Sequence, residues 1–245
     1  MRIFFLALIL ALPFTVCSQE RAETRELVGQ LGNRTALLVL HAVQQSDGGW
    51  HLAGEYLVLP LMQRRFLEGE RGPQLGVTTL KEGATAILFG RPATGELRGT
   101  WRDGLFKGTR YAPGGQERER FEFSEEFPSM DAYSASVRCD AGDERYKSSL
   151  GFSVQAGRLV PGTFEWRSKV EPAGHSCVVR GLQQQEWKGG VKLASGGCSV
   201  TLRDLGEYVK VAAEGCARAC GSEAYLEPLL VDRRGQCRLL RPETR

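Results

Sequence analysis

The sequence predicts an all-β protein: an N-terminal antiparallel barrel or sandwich, followed by a smaller, disulfide-braced C-terminal β module. Three observations carry this. Glycine is abundant, 30 of 245 residues, and falls as punctuation between short apolar runs. Apolar and polar residues alternate with the period of two that a half-buried strand requires, and no useful helical period appears between Gly29 and Phe127. Six cysteines, Cys139, Cys177, Cys198, Cys216, Cys220 and Cys237, lie beyond position 138, whereas residues 19–138 contain none. An even cysteine set in an exported chain reads as a disulfide framework.

Trp50, Leu52, Gly54, Tyr56 and Val58 alternate with His51, Ala53, Glu55, Leu57 and Leu59, a strand with one aromatic-aliphatic face. The turn signal Ser46-Asp47-Gly48-Gly49 precedes it, and the apolar stretch Arg34 to Val43 completes a hairpin. Further strands are expected at Gln63 to Glu68, Gly76 to Glu82, Thr85 to Phe89, Glu96 to Trp101 and Arg118 to Phe123. Short strands at this spacing suit a barrel or sandwich over residues 19–127. Glu125 to Asp131, with Pro128 interrupting any ladder, reads as the link to a second module over residues 128–245.

In that module, Phe152 and Val154, the turn Ala156-Gly157, and Leu159 to Trp166 suggest a hairpin. Cys177 to Leu182, Gly190 to Ala194, Cys198 to Arg203 and Glu207 to Ala212 read as strands, Cys216 to Cys220 as a helical turn or tight loop, and Tyr225 to Val231 as a last strand closed by Cys237.

Residues 1–18 read as a secretory signal peptide. Arg2 supplies the positive start, and Ile3 to Phe14 is an apolar run too short to span a membrane. Cys17 would be a lipid anchor only on a poor lipobox, since Phe14 and Val16 occupy positions that favour Leu and Gly or Ala; cleavage after Ser18 is the expectation. Loss of Arg2 takes the formal charge from +3 to +2. Such a balance, with acids interleaved around Arg118 and Arg120, gives no case for nucleic acid. No later stretch resembles a transmembrane segment. Asn33-Arg34-Thr35 matches a glycosylation sequon, a tripeptide common by chance.

Gly54-Glu55-Tyr56, Leu67-Glu68-Gly69, Leu80-Lys81-Glu82 and the Gly95 to Trp101 stretch form an ordered series. It resembles a small β-domain of exported proteobacterial proteins with Gly-x-Tyr, Leu-x-Gly, Leu-x-Glu and Gly-x-Trp strands, covering about residues 29 to 125. Cys198-Ser199-Val200 and Cys216-x3-Cys220-Gly221 are similar to cysteine-rich periplasmic modules of the kind associated with lysozyme-inhibitor families. The resemblance implies a Gram-negative source and a periplasmic location.

Catalytic and metal chemistry is sparse. His41 and His51 fall on strands of one hairpin and could face each other, as an acid–base or metal pair or as two polar-face residues; no ligand spacing accompanies them. His175 lies two residues before Cys177, where a disulfide is the better reading than a nucleophile pair. The spacing of Cys216 and Cys220 excludes a Cys-x-x-Cys redox motif. Asp140, Asp143 and Glu144 lack calcium-loop spacing and read as a solvated loop. Nucleophile-elbow, HExxH, P-loop and dinucleotide motifs are missing. Trp50, Tyr56 and Trp101 could line a cavity, although small barrels usually fill their interiors with side chains. Six cysteines allow fifteen pairings; a Cys139–Cys237 bridge would close the module's ends, and the pairing stays open.

The expectation is an exported, non-catalytic protein without cofactor or metal, which binds another exported or periplasmic protein as an inhibitor or immunity protein. A small-molecule or lipid-binding barrel and a periplasmic hydrolase are the alternatives.

Overall fold

Among the described residues, eight strands coil into a closed antiparallel barrel, and eleven more form two sheets with one short helix. This computed structural model describes residues 21–72, 76–84, 92–221 and 224–241. The leader, Cys17 and the expected Thr85 to Phe89 strand lie outside the described residues.

The barrel strands are β1 (Ala22–Leu31), β2 (Arg34–Gln44), β3 (Trp50–Val58), β4 (Gln63–Arg71), β5 (Val77–Gly83), β6 (Gly95–Arg102), β7 (Leu105–Tyr111) and β8 (Glu117–Ser124). Each pairs with its successor, and β1 meets β8 over Val28–Leu31 and Phe121–Ser124. Closure leaves no sheet edge along that seam. The side-chain period of two divides each strand between lumen and exterior. Leu27, Leu38, Leu40, Leu52, Leu67, Leu80, Leu97, Phe106, Phe121 and Phe123 point inward and form one buried cluster. Lys81, Glu96, Arg98 and Lys107 point outward, the inverse of the apolar band a membrane barrel turns to lipid. Among the described residues no helix is long and apolar enough to cross a membrane.

Two glycines of the motif series sit where neighbouring strands approach closely. A Cβ on Gly54 would lie 2.0 Å from the Val39 carbonyl oxygen, and one on Gly69 2.1 Å from that of Thr79. Any larger residue would push the neighbouring strand away.

The second module is a β-sandwich. Its first sheet contains β9 (Ala135–Gly142), β10 (Tyr146–Gln155), β11 (Arg158–Leu159), β12 (Glu165–Val170) and β13 (His175–Arg180). β10 is central, with β9 along one side and β11 and β12 along the other; β13 follows β12. The expected strand from Leu159 to Trp166 is interrupted at Pro161-Gly162, where Gly162 adopts φ 75° and proline cannot donate to a ladder. The second sheet runs β14 (Gln183–Gln185), β15 (Val191–Ser195), β16 (Cys198–Asp204), β17 (Tyr208–Glu214), β18 (Leu229–Asp232) and β19 (Cys237–Leu239). α1 (Ala217–Cys220) follows β17. Inward residues of both sheets make one core around the fully buried Trp166, whose Nε1–H donates to Ser148 Oγ at 2.8 Å.

The outer face of the second sheet packs on the barrel wall. Val28, Leu37, Leu59 and Met62 of the barrel meet Leu205 and Leu230, with Phe127 and Tyr208 alongside. Glu26 on β1 pairs with Arg203 and Lys210, and Arg203 lies between the rings of Phe127 and Trp187 at 4.6 and 4.9 Å. Among the described residues the order of layers is therefore barrel, second sheet, first sheet, and the outer face of the first sheet is covered by neither of the others.

Candidate functional site

Two regions hold polar side chains in built arrangements: one end of the barrel lumen and the open face of the sandwich.

In the lumen, Glu82 occupies an inward position in step with Leu80 and Thr78, and it is fully buried. Tyr56 Oη–H donates to its Oε2 at 2.8 Å. Arg110 Nε and Nη2 donate to Oε2 and Oε1 at 2.7 and 2.8 Å, a bidentate fork, and Arg65 Nε stands 3.4 Å from Oε1. Arg110 also bonds Glu119 at 3.0 Å, and Glu119 pairs with Arg34 at 3.2 Å. The chain of charges thus leads from a buried carboxylate to the rim, at the end where β1 turns into β2.

Burial by itself would raise the Glu82 pKa; the hydrogen bonds from Arg110 and Tyr56 and the nearby cations outweigh it, and the carboxyl lies below its ordinary range. Desolvation and the Glu82 charge push the Tyr56 phenol far up, while the hydrogen bond to Glu82 raises Arg110 against desolvation. All three groups are displaced away from neutrality. A general acid or base works best with a pKa near the working pH, and none of these three groups is shifted toward it. Tyr56 and Trp101 are themselves core residues, with Trp50 packed against them. The four motif strands owe their order to this interior: Gly54, Tyr56, Leu67, Gly69, Leu80, Glu82, Gly99 and Trp101 all take inward positions.

No family model, curated protein or solved structure matches this chain.

The sandwich is fastened by three disulfides, Cys139–Cys237, Cys177–Cys220 and Cys198–Cys216. Cys139 and Cys177 belong to β9 and β13, the two flanking strands of the first sheet, so each flank is tied to an element beyond that sheet: β19 on one side, α1 on the other. Cys198–Cys216 joins β16 to the start of α1. Disulfides of this number imply an oxidising, extracytoplasmic environment.

The face so held is polar and dished. Along the central strand, Ser149, Gly151 and Ser153 point outward, opposite in phase to the buried Leu150, Phe152 and Val154. Longer side chains flank them: Arg138 and Asp140 on β9, Glu165, Arg167 and Lys169 on β12, and Arg180 on β13. Two shallow depressions of about 650 and 740 Å³ result, one lined by Asp140, Lys147, Ser149 and Arg167, the other by Ser136, Arg138, Gly151 and Glu165. Glu165 is bonded to Arg167 at 2.6 Å, and this bond, with the charges of Arg167, Arg180 and Arg138, holds its pKa low. Basic side chains outnumber acidic ones on these strands.

The histidines do not converge. Register places His41 opposite Ala53 and His51 opposite Val43, so the two are diagonal on the barrel exterior rather than face to face. His41 Nδ1 lies 3.0 Å from Thr24 Oγ1, and His51 is 3.9 Å from Glu68. His175 opens β13, and the neighbouring Cys177 sulfur is bonded to Cys220. Asp143 accepts backbone hydrogen bonds from Arg145 and Tyr146 at 2.7 and 2.9 Å, shaping the turn into β10, while Asp140 projects from β9. Sequence reading did not single out the Glu82 cluster or the serine trough. Both left a signal: an acid at an inward strand phase, and three small residues, Ser149, Gly151 and Ser153, at consecutive outward phases of one strand.

Proposed function

We propose that this protein is an exported, non-catalytic recognition protein that binds a partner protein through the open face of its sandwich. The reading rests on one observation: the only outer sheet face not covered by the barrel, among the described residues, is a shallow small-residue trough flanked by basic side chains and stapled at both flanks. A rigid surface loses little conformational entropy on binding, and the charge balance suits an acidic partner segment. The filled lumen supports this reading over a lipid-carrying barrel, and the pKa displacements around Glu82 support it over a hydrolase. The disulfides are consistent with work in the periplasm after removal of a signal peptide. An inhibitor of a cell-wall hydrolase, or an immunity protein against a secreted toxin, is the concrete form proposed.

The test is capture from periplasmic extract by the intact protein and by two variants. Ser149→Trp fills the trough at an exposed site and leaves the core untouched; Lys107→Glu changes an exposed barrel site. The expected result is a specific partner retained by wild type and Lys107→Glu and lost by Ser149→Trp, together with protection of that partner's substrate. Equal capture by all three, or no specific partner, removes the proposal.

A further inference from the structure

The barrel's opposite mouth gathers hydrogen-bond donors that have no acceptor among the described residues. Register sets Trp50 opposite Arg71. One step beyond the Glu70–Thr79 pair, Arg71 comes abreast of Thr78. Thr78 in turn lies opposite Gly99, two residues before Trp101. Four inward positions on successive strands therefore meet at one level of the wall. Arg71 reaches across it, its Cζ 6.0 Å from the centre of the Trp101 ring.

Two groups at this mouth, Thr78 and Trp101, are buried and unsatisfied. Thr78 is fully buried and, among the described residues, its Oγ1 has no hydrogen-bond partner; Trp101 is 7% exposed and its Nε1 has none there either. Buried polar atoms in folded proteins are nearly always bonded to something, so an orphan needs an explanation. An indole N–H can only donate, a guanidinium can only donate, and a threonine hydroxyl can do so. Charge points the same way. Arg25, the other cation over Trp101 at 5.5 Å, is balanced by Glu23 and Glu125 at 2.7 Å each. Arg71 has no carboxylate within ion-pair distance among the described residues. A neutral water would answer the orphaned N–H but leave that charge unmatched. A carboxylate answers both: its two oxygens suit the guanidinium fork and retain lone pairs for further donors.

We propose that this mouth binds a small carboxylate anion, held by Arg71 at the rim and by Trp101 Nε1 and Thr78 Oγ1 at the floor. The site lies on the barrel, apart from the sandwich face, and stands or falls independently of partner recognition. The Trp101 indole N–H reports on it directly. In ¹⁵N-labelled intact protein, titration with acetate and then succinate should move that cross-peak saturably, leaving those of Trp166 and Trp187 in place. Arg71→Ala should weaken the response by at least ~10-fold, the scale of one charge-assisted hydrogen bond, and Arg71→Lys by less. Trp101→Phe assigns the peak; should that variant not fold, the backbone amides of Arg71 and Thr78 carry the same titration. No saturable shift with either carboxylate, a response unchanged in Arg71→Ala, or a response to inorganic phosphate alone would overturn the proposal.

Discussion

The barrel is built around a carboxylate and contains no cysteine; the sandwich is built around an indole and uses six cysteines. The difference follows from topology. A closed ladder supplies its own constraint, since each strand has two partners, and its interior can hold a charged cluster provided the cluster is fully paired. Two stacked sheets have flanks, and nothing in the ladder prevents them from sliding apart. There the chain adds covalent ties, placed on the flanking strands. One region resists unfolding through a network that acid can discharge, and the other through bonds that reductant can break.

Reduction should separate the two most strongly. Cys139–Cys237 spans 98 residues, for which a chain-entropy estimate is about 4.7 kcal/mol. Thiol reductant should therefore unfold β9–β19 while β2–β8 keep their amide protection, as read by hydrogen exchange. Equal loss in both regions would show that the sandwich holds the barrel up.

The next effect belongs to the lumen. Glu82→Ala leaves Arg110 and Tyr56 without their common acceptor, and removing one partner of a buried pair costs roughly 3–5 kcal/mol. Urea unfolding should show the loss in the barrel transition. The pH dependence has a definite sign: a carboxyl whose folded pKa is depressed contributes stability above its unfolded pKa, and the contribution is lost as pH falls through the folded value. Acidification should thus weaken wild type across a range where Glu82→Gln barely responds.

Smallest is the contact between modules. Glu26→Ala removes the acceptor shared by Arg203 and Lys210, a partly exposed cluster worth roughly 1 kcal/mol. The barrel and sandwich transitions should move apart in the variant, and coincident transitions would place the coupling in the Leu205–Leu230 apolar contact instead.

Strands whose two faces differ were readable from sequence. Trp50 to Val58 and Cys198 to Arg203 alternate cleanly, and each was placed to within a residue or two. The all-β class and the barrel option followed from them. β1 and β7 were missed. β1 carries Thr24, Glu26 and Gln30 outside and Arg25 and Gly29 inside, and β7 has only Phe106 as a large inward apolar residue before Gly108 and Arg110; neither presents an apolar stripe. β9 hides for a related reason: Val137 is its one fully buried residue. The candidate sites were less visible because they are made across strands. Tyr56, Glu82 and Arg110 lie far apart in the chain and meet only once register is set, and the one local sign at Glu82 is the strand phase it shares with the inward Leu80.

The flank ties have a further consequence. An unpaired strand flank displays free N–H and C=O groups, and another chain can extend the sheet there, in specific binding or in aggregation. Here β19 lies beside β9 and α1 beside β13, and β14, at the end of the second sheet, is only three residues long. Among the described residues, these flanks offer little backbone to copy. A partner docking on the open sheet, as proposed above, would have to read its side chains, and two copies of this protein have scant means of growing into a shared ribbon.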